Sequence, residues 1–194
     1  NSKVVDVQGN PLVVYHGGAK NFDKFDKNNI GKNFSQSTLG FYFTNKSINS
    51  SDSYITGTSA SEYAFNAQER GYSTLDGANV IPVYLRIENP LILKADGWDS
   101  CIQYVDKHKG EIKNELDRNR YKYDGIICEY EDKTESVEML CVVFEPYQIK
   151  SAIGNKGTWS DGSDNITESV MIDDYSFYDF HGQTVYIKQV INWS

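Results

Sequence analysis

The stretch Pro11-Leu12-Val13-Val14-Tyr15-His16-Gly17-Gly18 sets one imidazole at the end of an apolar run, directly before two glycines. Such a run, rich in β-branched residues, predicts a buried strand that the glycine pair ends. A histidine at a strand exit offers a donor and an acceptor near neutral pH. Glycine beside it lets a small ligand come close to the main chain. The same residues serve equally as a capped strand with a half-buried histidine. A second short run, Gly40-Phe41-Tyr42-Phe43-Thr44, predicts an aromatic strand whose Tyr42 either fills a core or presents a ring for stacking.

Other chemistry-bearing residues fit bland roles. His108 lies between Lys107 and Lys109 on a polar helix pattern, and His181-Gly182 separates two alternating segments as a turn does. No His, Cys and acid cluster has zinc spacing, no glycine-rich loop cradles phosphate, and no nucleophile elbow occurs. Cys101, Cys128 and Cys141 have neither an even count nor a metal pattern, which predicts buried free thiols in a reducing compartment. A Cys128–Cys141 bridge across a hairpin is the alternative.

With 194 residues, 39% of them hydrophobic, the chain buries one sizeable core, with room for an appendage. A net charge of −8 argues against a broad nucleic-acid surface, though it leaves room for a local basic groove. No run is long and apolar enough to span a bilayer, and no signal-peptide pattern appears. The chain opens on Asn-Ser-Lys-Val without methionine, as a segment of a larger polypeptide does.

The elements that must position these residues can be read in order. Lys3–Val7 and Leu12–Tyr15 predict two strands joined by a Gln-Gly-Asn-Pro turn, and Phe22 and Phe25 pin the polar loop that follows. After the Tyr42 strand, Asn45 or Ser47 caps a helix over the low fifties, and a second helix covers Ser59 to Arg70 with Tyr63 and Ala64 on one face. Val80–Ile87 is a strong strand stopped by Glu88-Asn89-Pro90, with Leu91–Leu93 as a short extension. Residues 98 to 119 read as helix with a break at Gly110. Tyr123–Glu129 and Met139–Phe144 predict an antiparallel hairpin, and residues 154 to 165 a loose linker. A tail follows, with Tyr175–Phe180 and Thr184–Val190 as an aromatic hairpin. The expected class is α+β with a split antiparallel sheet and flanking helices.

Taken together, four blocks resemble ADP-ribosyltransferases of the His-Tyr-Glu type, the diphtheria-toxin and poly(ADP-ribose) polymerase lineage. The likeness is closest to the domains found in phage polyvalent proteins. The blocks are Val13–Gly17, Gly40–Thr44, Val80–Leu85 with Glu88-Asn89-Pro90, and Val142–Pro146 with Gln148–Ala152. The resemblance implies residues 1–160 as an ADP-ribosyltransferase-like catalytic domain and 161–194 as a hairpin extension packed on it. It implies NAD as substrate, His16 on the nicotinamide ribose, Gly17 offering main chain to the carboxamide, and Tyr42 stacking on nicotinamide. A Ser-x-x-Tyr pattern further along is matched by Ser51 and Tyr54. Such domains are phage- or bacterium-encoded, or delivered into a target, and act in a cytoplasm.

The third family residue departs. Alignment through Val142-Val143-Phe144 sets Leu140 where the family has glutamate, and leucine cannot stabilise a developing cation. Glu138 shares a strand face with Leu140, and Glu129 is expected across the hairpin from it. These two acids, with His16 and Tyr42, complete the catalytic expectation, and no metal is expected. Transfer of a single ADP-ribose unit fits better than chain elongation, with a macromolecular acceptor that the acidic balance tilts toward protein over nucleic acid. NAD hydrolysis, or NAD or ADP-ribose binding without turnover, are the alternatives, the latter prompted by Leu140.

Overall fold

A computed structural model describes residues 1–18, 22, 24–32, 38–47, 59–69, 79–95, 99–131, 137–153, 170–178 and 184–192. The strands are β1 Val14–Gly18, β2 Phe41–Thr44, β3 Asn79–Leu85, β4 Pro90–Lys94, β5 Gly125–Glu131, β6 Val137–Val143, β7 Ile149–Ser151, β8 Val170–Tyr178 and β9 Thr184–Asn192. The helices are α1 Ala60–Glu69, α2 Cys101–Lys107 and α3 Lys109–Arg118. All nine strands join one mixed sheet in the order β4-β5-β6-β2-β1-β3-β9-β8, with β7 pairing β3. The α+β class expected from the sequence holds.

The sheet opens in its middle. β1 and β2 share one register pair, Tyr15 with Thr44, whereas β1 pairs β3 through all five of its residues. From that seam the two halves meet again at their far ends. Gln148, almost fully buried, donates through Nε2 to the Arg86 and Asp124 carbonyls at 2.9 and 2.7 Å. Its Oε1 accepts from the Phe144 and Glu145 amides at 3.0 and 2.9 Å. All four hydrogen-bonding positions of the side-chain amide are thereby used, as a buried glutamine requires. A Cβ on Gly125 would stand 2.9 Å from Ile87 Cγ2, so glycine there lets β5 come up against the end of the β3 segment.

Two apolar layers follow from the period of two along each strand. Val14, Phe43, Val83, Ile127, Cys141 and Val143 form the inner layer with Val4 and Phe25. Ile126, Cys128, Leu140 and Val142 face the other way, under Cys101, Ile102 and Val105 of α2 and Ile112 of α3. The cysteines are buried and free. Cys128 pairs Leu140 and Cys141 pairs Ile127, so the two thiols leave opposite faces of the hairpin and the alternative bridge does not form.

Several expectations need correction. The glycine pair does not end the first strand: Gly17 and Gly18 continue β1 and pair Val80 and Asn79. Leu91–Leu93 do not extend the third strand but belong to β4, parallel to β5 at the opposite edge of the sheet. The Asp124 carboxylate makes that departure by accepting the Glu88 and Asn89 amides, both at 2.8 Å. The helical break falls at His108 and not at Gly110, which continues α3 with nothing within 4 Å of its Cβ position. The predicted helix over the low fifties lies outside the described residues. In the tail, β8 and β9 pair antiparallel with bulges, and β9 adds parallel to β3 at Asn79 with Tyr186.

Candidate active site at the seam of the sheet

His16 stands where β1 and β2 part. A continued register would set Gly17 opposite Tyr42, but the ladder has already stopped, and the Tyr42 carbonyl instead takes a 2.9 Å hydrogen bond from His16 Nδ1. A carbonyl only accepts, so Nδ1 carries the proton. Burial pushes the imidazole below its ordinary value of 6.5, against a smaller upward pull from the Tyr42 carbonyl. The ring is therefore neutral at pH 7, with Nε2 an acceptor. Phe25, Phe43 and Phe22 surround it, with centroids at 5.0, 5.5 and 5.9 Å. The result is one polar atom in an aromatic setting.

Gly17 is required by packing. A Cβ there would lie inside contact distance of the Ala60 carbonyl and 2.8 Å from Tyr63 Cβ. The small residues Ala60 and Ala64 share one stripe of α1 and let its first turn settle on β1. The space the glycine creates is thus taken by a helix on that face, and not left open as the sequence suggests. Ser59 caps this helix, its Oγ accepting from the Glu62 amide at 3.3 Å.

Tyr42 touches His16 through its main chain, while its ring joins the layer of Leu140 and Val142 together with Tyr63. The structure therefore brings His16, Gly17 and the Tyr42 carbonyl together, and not the two side chains of His16 and Tyr42. The Tyr42 hydroxyl is buried and has no hydrogen-bond partner among the described residues; the Leu39 main chain approaches it short of hydrogen-bond geometry. Burial drives both phenols well above their usual range. Asp106 adds to this at Tyr42, and Tyr42 and Glu138 add to it at Tyr63.

Leu140 is only 4% exposed, sealed beneath α2. Glu138 shares its face and is 2% exposed, with Oε1 accepting from the Cys101 amide at the start of α2, 3.2 Å away. Glu129 requires a correction. The hairpin register sets Cys128 opposite Leu140 and Glu129 opposite Met139, one residue from expectation. Glu129 therefore leaves the other face, where it forms an ion pair with Lys94 of β4. Ser51 and Tyr54 lie outside the described residues.

From sequence alone Tyr63 reads as helix packing. Its signal was a serine followed by a tyrosine on a capped helix, Ser59 to Tyr63, one position longer than the Ser-x-x-Tyr pattern. In the fold it stands beside Gly17 and packs on the same apolar layer as Tyr42, whose phenol it feels electrostatically.

A mixed sheet with a few helices is the α+β fold of an ADP-ribosyltransferase-type domain. The chain belongs to the family described as ADP-ribosyltransferase in polyvalent proteins, whose model matches residues 6–159. No curated protein and no solved structure matches it. The family's reaction is ADP-ribosyl transfer, with NAD as its general substrate. β8 and β9 lie beyond the matched residues. Among the described residues, no helix is long and apolar enough to cross a membrane, and no group of three or more His, Cys, Asp or Glu could hold a metal ion.

Proposed function

We propose that this chain cleaves NAD at the nicotinamide–ribose bond and transfers one ADP-ribose unit to a macromolecular acceptor, a protein being favoured by the net charge of −8. The observation that carries the reading is the His16 Nδ1 bond to the Tyr42 carbonyl, which leaves a neutral ring with Nε2 as acceptor. That atom suits a ribose hydroxyl, which donates. Gly17 supplies main chain on the side where β2 no longer pairs with it. Tyr42 and Tyr63, both packed on the layer of Leu140 and Val142, are the rings this reading offers nicotinamide, and the Tyr42 hydroxyl, without a partner among the described residues, is a group a polar ligand would satisfy. Ser51 stays a candidate for carboxamide contact and Tyr54 for a second stacking ring, on the resemblance alone.

As the glycosidic bond breaks, the ribose becomes cationic and calls for a carboxylate. Glu138 is the acid on the correct strand face for that role, provided it exchanges the Cys101 amide for substrate. A second reading, binding of NAD or ADP-ribose without turnover, is favoured by the sealed position of Leu140. Nicotinamide release by the purified chain separates the two, measured beside His16→Ala and Tyr42→Ala with NAD affinity from calorimetry. Release lost in both variants supports the transferase. Binding that depends on His16, with no release even when cell lysate supplies acceptors, supports the binding module.

A further inference from the structure

The turn between α3 and β5 concentrates positive charge on an otherwise acidic chain. Lys113, Arg118, Arg120 and Lys122 fall within ten residues, against two acids, Glu115 and Asp117, in the same span. All four cations are exposed, and none forms an ion pair among the described residues. The Lys122 amide donates to the Asn119 carbonyl at 2.8 Å, which closes a four-residue turn with Arg120 and Tyr121 at its centre. Tyr121 is 96% exposed.

The tip is held from behind. Glu115 Oε1 accepts from Asn119 Nδ2 at 2.9 Å and from the Tyr123 hydroxyl at 3.3 Å, which turns one of the two acids inward. Lys122 Nζ rests 4.7 Å from the Tyr123 ring centroid, and Asp124 is fixed by the Glu88 and Asn89 amides. A pre-ordered tip loses little freedom when it binds.

A lone exposed aromatic is ordinary, and cations at a helix end offset its dipole. An exposed ring set between cations that form no ion pair among the described residues, on a braced turn, is a different combination. Cations engage phosphates and a flat ring stacks on an unpaired base, which together suit a single strand rather than a duplex or an acidic peptide. We propose that the Arg120-Tyr121-Lys122 turn, with Arg118 at the end of α3, is a docking surface for single-stranded nucleic acid. This surface is independent of the reaction proposed above, because docking needs no NAD and no turnover.

The test is fluorescence anisotropy of a labelled oligothymidylate with the full chain and no NAD present. Binding tighter than about 100 µM at low salt is expected, weakening as salt rises. Tyr121→Ala should weaken it by about 5-fold or more while Tyr121→Phe retains it, because stacking needs the ring and not the hydroxyl. Arg120→Glu with Lys122→Glu should abolish binding. All three variants are at exposed positions and should melt like the parent. The proposal is overturned if the parent fails to bind at low salt or if the variants bind unchanged. Equal affinity for a labelled oligoglutamate, with Tyr121→Ala silent, also overturns it and assigns the surface to an acidic protein.

Discussion

His16 and Leu140 stand at two positions to which the resemblance to ADP-ribosyltransferases would assign chemistry, and their surroundings differ. His16 is half-buried at a seam where one ladder has stopped, with Nε2 free to accept. Leu140 lies mid-strand in a continuous ladder, flanked by Cys128 and Thr44 and covered by α2. Under the proposed function, the half assigned to the ligand keeps a polar atom at a break in the pairing, and the half assigned to the cation is core. A hydrophobic residue at that point is therefore not a gap awaiting an acid: the packing has closed over it.

The sharpest way to break this contrast is to restore the acid. Leu140→Glu introduces an unpaired carboxylate beneath α2, and we expect a loss of about 3 kcal/mol or more, read by chemical denaturation. A variant that kept its stability and released nicotinamide faster than the parent would mean the position faces an open cleft after all. Gly17→Ala probes the other half by sterics. The methyl meets the Ala60 carbonyl and Tyr63 Cβ, and a loss of about 3 kcal/mol is expected in thermal melts. Gly110→Ala, with open space around it in α3, should instead gain up to about 1 kcal/mol. If the two substitutions behaved alike, the close approach of α1 to β1 would be refuted.

At the seam itself, His16→Ala should lower nicotinamide release by about 100-fold or more, with a loss of about 1 to 3 kcal/mol in stability from the lost hydrogen bond and ring packing. The pH dependence carries a definite sign. The folded imidazole titrates below 6.5, so below that pH the unfolded chain takes up a proton the folded chain resists. The contribution is complete above 6.5 and is lost as the pH falls through the folded value. Relative to His16→Gln, the parent should lose stability over that window. Its acid limb of nicotinamide release should likewise fall below 6.5. A limb at or above 6.5 would assign the titration to another group.

How much of this was legible depended on whether the cause was local. The α+β class, the pairing of β5 with β6, and the His-Gly and tyrosine strands all follow from short-range composition, whereas the hairpin register and the end of β1 do not. The place of Leu91–Leu93 is not legible locally because a carboxylate from a distant segment, Asp124, turns the chain toward β5. The role of the glycine pair is not legible either, because its reason is a helix arriving from residue 60, which no window around Gly17 contains. Tyr63 gives no local signal of its neighbours, since a ring on a helical stripe carries no sign of what it faces. Gln148, inside one of the four blocks, turned out to clasp the two halves of the sheet, so its place in the pattern has a structural cause.

The smallest effect belongs to Glu129, and it tests the register on which the contrast rests. A shift of one residue decides whether this acid faces Leu140 or the opposite side, because successive side chains alternate. In the structure it pairs with Lys94, an exposed side chain on the edge strand β4. Ion pairs of that kind contribute between about zero and 1 kcal/mol and weaken with salt. Glu129→Gln should therefore leave nicotinamide release unchanged and shift stability by about 0.5 kcal/mol at most, less at high salt. Glu138→Gln, whose carboxylate accepts the Cys101 amide in a buried setting, should have the larger effect on both. If the order were reversed, with Glu129→Gln abolishing release in a folded chain, the hairpin would have to pair one residue away, and Glu129 would stand across from Leu140.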